Sequence, residues 1–127
     1  MSPALLAIVA AAGGLGAAAR HLLDACISRR VAGGRPWGTF AVNVTGSLAV
    51  GVLAGLAMSD ALLPEPVRAA AGIGFLGAYT TFSTWMVETL RLIEGGAWRA
   101  AAVNALGCLV AGPGATLAGL ALGLSAG

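Results

Sequence analysis

The sequence predicts an all-α integral membrane protein of four transmembrane helices, the third of them broken midway. Three observations carry that expectation. Hydrophobic residues make up 58% of the chain and charged residues 9%, against roughly 25% charged in a soluble domain, so there is too little charge to coat a water-facing surface. Four stretches are long and apolar enough to cross a bilayer, which takes about 20 residues each. Glycine accounts for 20 of the 127 residues, and small residues are what membrane helices use where their backbones approach closely. The length suits one four-helix transmembrane domain over residues 1–127 and no second unit.

The first span, about residues 3–26, is uncharged through Ala19 and continues to Arg20 and Asp24. No positive residue precedes its apolar stretch, so it does not read as a signal peptide. Arg20 and Asp24 stand four apart near its end. They suit an interfacial ion pair, or Arg20 forms a positive vestibule that concentrates anions. His21 has no second histidine to pair with and reads as an interface residue. The second span, about 37–58, is uncharged throughout. Thr39, Asn43 and Ser47 recur there at helical spacing on one face. An unpaired amide in hydrocarbon is costly, so the stripe either joins helices or lines a path for something polar. Gly51 and Gly55 form a GxxxG pair in this helix, and Gly119 and Gly123 form another in the fourth.

The third span, about 67–92, holds the polar insert "GAYTTFSTW" from Gly77 to Trp85. Gly77 is a poor helix former, and the hydroxyls of Thr80, Thr81, Ser83 and Thr84 compete for backbone groups. A helix broken here leaves carbonyls and amides unpaired at mid-membrane, where they are tolerated only inside protein or along a cavity. Freed carbonyls suit a cation, and freed amides or hydroxyls suit an anion. Phe82 and Trp85 share a face, and two ring edges present positive density to an anion. Alternatively, the hydroxyls bond back along the helix and the rings simply pack. The fourth span, about 99–124, carries Asn104 and Cys108 four apart. Gly112, Pro113 and Gly114 then predict a kink or local opening. Cys26 and Cys108 lack metal-ligand spacing and read as small buried hydrophobes.

The connections, "SRRVAGGRP", "SDALLPEP" and "EGGA", are short, so function must lie within the membrane. Four spans put both termini on one side. Arg29, Arg30, Arg35, Arg91 and Arg99 fall at the other face, with Arg20 leaning that way, while Arg68 is alone. The arginine-rich face is therefore expected to be cytoplasmic. With seven arginines, no lysine and no basic run, nucleic acid is not an expected partner. Four short helices cannot readily enclose a polar path, which favours an oligomer.

"GAAAR" (16–20), "GTFAVNVTGS" (38–47) and "GFLGAYTTFSTW" (74–85) resemble, in order and spacing, three signatures of the Fluc fluoride channels, also called CrcB proteins. The resemblance covers essentially the whole chain. It implies a passive, fluoride-specific channel of the plasma membrane that lets the cell shed fluoride. It also implies a dimer of antiparallel subunits with two pores, and a structural Na+ at the dimer centre held by the carbonyls of Gly77 and Thr80. Asn43, Phe82 and Trp85 would be pore positions, with Thr81, Thr84, Asn104 and Cys108 along a polar track. Three features depart from the pattern: Trp85 stands where phenylalanine is common, the fourth-helix track has fewer hydroxyls, and the arginines are biased to one face. The last suggests pairing with a homologous sister chain rather than with a second copy.

Two other classes compete. A small four-helix proton-coupled exporter needs a titratable carboxylate deep in the membrane; Glu88 and Glu94 lie near the close of the third span. A non-transporting subunit of a membrane assembly would tolerate loss of Asn43 or Phe82. No Ser/His, Cys/His or paired-carboxylate arrangement at depth suggests an enzyme.

Overall fold

The structure is a computed structural model that describes residues 1–30, 37–59 and 63–126. Arg35 and the middle of the two connections, at 31–36 and 60–62, lie outside the described residues. The described residues hold helices and turns only.

Helix α1 (Pro3–Arg30) starts where Ser2 Oγ accepts the Leu5 N–H at 3.1 Å, and it extends beyond the expected end near residue 26. Helix α2 (Trp37–Met58) closes with Ser59 Oγ donating to Gly55 O at 2.8 Å. The third stretch is not one helix. A single α turn, α3 (Glu65–Arg68), follows Pro64 and widens into a π-helix over Ala69–Leu76. A last turn, α4 (Gly77–Tyr79), then ends at Thr80. After the break, α5 (Phe82–Glu94) carries the chain to Gly95 and to Gly96, whose φ of 78° suits a residue without a Cβ. Helix α6 (Trp98–Ala126) runs unbroken through Pro113. The opening expected at Gly112–Gly114 is absent: Pro113 faces outward, and the helix absorbs one missing hydrogen bond. Helices α1, α2 and α6 are long and apolar enough to cross a membrane.

Glycine sets the packing. A Cβ on Gly51 would land on Thr116 O, and one on Gly119 would land on Leu48 O. Gly55 and Gly123 repeat the arrangement one turn on. Contacts advance together along both helices, so α2 and α6 run parallel with their backbones in contact, and the two GxxxG pairs form one reciprocal seam. Gly16 and Gly74 do the same between α1 and the π-helix, against Phe75 and Val9. Gly38 packs on Asp24, which makes α1 and α2 an antiparallel hairpin. Among the described residues the buried apolar set is small (Val42, Ala69, Leu76, Ala101), while Leu6, Leu15, Ile73, Val110 and Leu117 are exposed. That inversion suits a chain whose solvent is hydrocarbon.

Candidate functional site: the break in the third stretch

The break falls at Thr80 and Thr81, three residues beyond Gly77. Gly77 itself is helical, at φ −61° and ψ −36°. Thr80 (φ −79°, ψ 152°) and Thr81 (φ −144°, ψ 120°) are extended. Threonine hydroxyls bond backbone groups on both sides of it. Leu76 O accepts both the Thr80 N–H (3.1 Å) and the Thr80 hydroxyl (3.0 Å). Thr81 Oγ1 caps α5 by accepting the Thr84 N–H at 3.3 Å.

Helix α2 holds the extended pair open. Asn43 Nδ2 donates to Thr81 O at 2.9 Å, and the Thr81 N–H donates to Asn43 Oδ1 at 2.9 Å. One side chain thus takes the Thr81 N–H that a continuous helix would give to Gly77 O, and donates to the Thr81 carbonyl as well. Close by on the same helix, Gly46 leaves room for the Thr80 methyl and the Tyr79 ring. The Tyr79 hydroxyl lies 2.9 Å from Thr45 Oγ1. The break takes helical donors from the carbonyls of Gly77 through Thr80, the two expected cation ligands among them. In an unbroken helix Gly77 O would accept from Thr81 N–H, and Thr80 O from Thr84 N–H. Both donors are diverted, to Asn43 and to the Thr81 hydroxyl. Gly77 also lies exposed on the surface of the chain. These two hard oxygens are therefore free of their helical donors, which is what a Na+ site asks of its ligands.

Beside the break lies a groove of about 360 Å³ whose lining includes Asn43, Ser47, Thr81, Phe82, Trp85 and Cys108. The Phe82 and Trp85 rings meet edge to face, 5.4 Å apart at 74°, and Phe82 is 68% exposed. Of the residues singled out from the sequence, Asn43, Thr80, Thr81, Phe82, Trp85 and Cys108 come together here. Thr84 and Asn104 do not line this groove. Thr84 Oγ1 receives the Thr81 hydroxyl at 3.2 Å. Asn104 is buried behind Trp85 and donates from Nδ2 to Thr89 Oγ1 at 2.8 Å. Cys26 and Cys108 are free thiols, both half-buried. At the end of α1, Asp24 accepts from Ser28 Oγ at 3.3 Å, and Arg20 Nε is buried with no hydrogen-bond partner.

One pair escaped the sequence reading. Thr39 is almost fully buried and donates to Glu88 Oε1 at 2.6 Å, while Glu88 Oε2 is buried without a partner. The stripe on α2 joins helices and also reaches the groove. Thr39 and Asn43 tie α2 to α5 and to the break, and Asn43 and Ser47 line the groove.

The family profile described as CrcB-like protein, Camphor Resistance (CrcB), matches residues 7–120. The chain belongs to the CrcB-like family. It is a multi-pass membrane protein, with apolar helices to match. Curated relatives align over most of their length. A fluoride-specific ion channel FluC 1 of Symbiobacterium thermophilum is 48% identical over 118 residues, 91% of this chain and 94% of its own. A FluC 1 of Leifsonia xyli is 45% identical, covering 97% of this CrcB-like chain and 89% of its own. A FluC of Nitrobacter winogradskyi is 42% identical over 88% of this chain and 89% of its own.

Proposed function

We infer that this chain is a fluoride-specific ion channel, not an enzyme, and that it carries fluoride passively out of the cell across the plasma membrane. Relatives named fluoride-specific ion channels support the reading. Among structural features, one carries it furthest: an aromatic pair and a helix break share one groove without a fixed charge. Fluoride is small and holds water tightly. A conducting path must replace that water with donors yet release the ion. The groove offers the remaining N–H of Asn43, the Ser47 hydroxyl, and ring edges at Phe82 and Trp85. Each contact is modest, and none would trap an anion as an arginine would.

In this reading the third stretch completes a fourth crossing. Two chains associate antiparallel through their breaks to give two pores, and the partner is a second copy or a sister chain. Gly77 and Thr80 from each subunit would hold a structural Na+, whose charge raises the local potential and locks the broken helices together. The diverted donors at both carbonyls support that assignment.

Purified protein in liposomes tests the reading. Fluoride should efflux and chloride should not, and Phe82→Ile should abolish efflux while leaving assembly intact. Exhaustive replacement of Na+ by a large organic cation should remove efflux and weaken the dimer. No flux from well-folded protein would favour the assembly-subunit reading. Proton movement abolished by Glu88→Gln would favour the exporter.

A further inference from the structure

Trp85 is held by a closed ring of hydrogen bonds that the groove itself does not require. The indole Nε1–H donates to the main-chain oxygen of Asn104 at 3.0 Å. The side chain of Asn104 donates from Nδ2 to Thr89 Oγ1 at 2.8 Å. The Thr89 hydroxyl donates to Trp85 O at 2.8 Å, one turn back along α5. Three residues on two helices thus satisfy one another in sequence. Asn104 and Thr89 are 7% and 8% exposed, and with Thr39 they form the buried polar set among the described residues. A buried polar pair is costly unless satisfied, and a fully satisfied network fixes one geometry.

Neither Thr89 nor Asn104 lines the groove beside Trp85. The Asn104–Thr89 link sets the register of α5 against α6, which brings the Asn104 carbonyl to face the indole N–H. The other edge of the aromatic pair then has one orientation toward Phe82. A phenylalanine at this position has no N–H and could not be held in this way.

We propose that Thr89 and Asn104 are positioning residues that fix the Trp85 indole in the ion path through this ring of hydrogen bonds, without themselves meeting the ion. The proposal rests on the fluoride-channel reading, and its test separates the two. Thr89→Val keeps the side-chain shape and removes the hydroxyl. It should slow fluoride efflux about tenfold, the loss expected for one hydrogen bond at the upper end of its usual range, and Thr89→Ser should restore the rate. Asn104→Leu leaves the accepting carbonyl in place, should slow efflux likewise, and serves where the valine variant does not assemble. In a Trp85→Phe background there is no indole to aim, and Thr89→Val should leave the rate of that background where it was. An equal fall in both backgrounds would overturn the proposal. The second readout is solvent exchange of the Trp85 Nε1–H, followed by NMR of 15N-indole-labelled protein and assigned by its absence in Trp85→Phe. Exchange should quicken about tenfold in Thr89→Val and Asn104→Leu, and return in Thr89→Ser. Unchanged exchange would overturn the positioning role. This arm needs no flux, so a wild-type chain that passes no fluoride would sink the channel reading while the exchange data still judge the network.

Discussion

Asn43 satisfies Thr81 at both its N–H and its C=O, and the size of that effect decides how the residue should behave when changed. Interhelical polar contacts in membranes average about 0.6 kcal/mol each, because the alternative state also finds partners. Here the alternative is specific: without the amide, the Thr81 N–H can return to Gly77 O and close the helix. Asn43→Leu should therefore cost only about 1 kcal/mol of stability in detergent unfolding, yet abolish fluoride efflux because the break heals. A loss of stability several times larger, with efflux preserved in the folded fraction, would mean that Asn43 only holds the fold. Asn43 was legible from sequence as a residue that must find a partner, because an unpaired amide in an uncharged span is costly. The Thr39–Glu88 pair was not, although the information was present. Once Asn43 is known to meet Thr81 on an antiparallel neighbour, Thr39, one turn back on α2, is directed toward α5, where the Glu88 side chain reaches it. That step needs a contact, and spacing within a single helix cannot supply it.

At the scale of elements, the seam between α2 and α6 and the break in the third stretch are built by opposite means. The seam exists because four glycines lack a Cβ; the break exists because threonines carry hydroxyls. Gly119→Ala should destabilise the chain by about 1–3 kcal/mol, the usual cost of forcing atoms into a packed contact, because the new carbon meets the Leu48 carbonyl and main chain cannot rotate aside. Gly114→Ala, on the same helix, meets nothing within 4 Å. It should be neutral or favourable by up to about 1 kcal/mol, the difference in helix propensity. Unfolding midpoints in a graded detergent series compare the two, and equal effects would refute the seam. Both GxxxG pairs were legible because their spacing alone marks a helix face. The position of the break was less so: Gly77 is the conspicuous helix breaker, but Leu76 O, Thr80 and the Asn43 clamp place the break after it. The π-helix at Ala69–Leu76 has no mark in its residue types. It lies where Gly16 and Gly74 bring α1 against this stretch, a tertiary circumstance that local sequence does not record.

At the scale of the whole molecule, the directions of the helices turn a list of arginines into an orientation. Helices α2 and α6 are parallel, so Trp37 and Trp98, both exposed, sit at the same end of the chain. Arg29 and Arg30 close α1 at that end, and Arg91 and Arg99 flank the turn between α5 and α6. Arg68 lies at the opposite end, beside the start of α1. Exposed tryptophans and arginines together suit one membrane interface, and from the arginine bias we propose that it is the cytoplasmic one. On that proposal the chain inserts mainly one way, whereas the proposed antiparallel pair needs both orientations. A reporter fused to the C-terminus should accordingly score almost entirely outside. Flux should then depend on co-expression with a homologue of opposite bias. Leu63→Lys with Val67→Lys adds two positive charges beside Arg68, and should even the split and make the lone chain sufficient. If the unaltered chain already distributes equally between orientations, the charge asymmetry does not govern its insertion, and the partner is a second copy of itself.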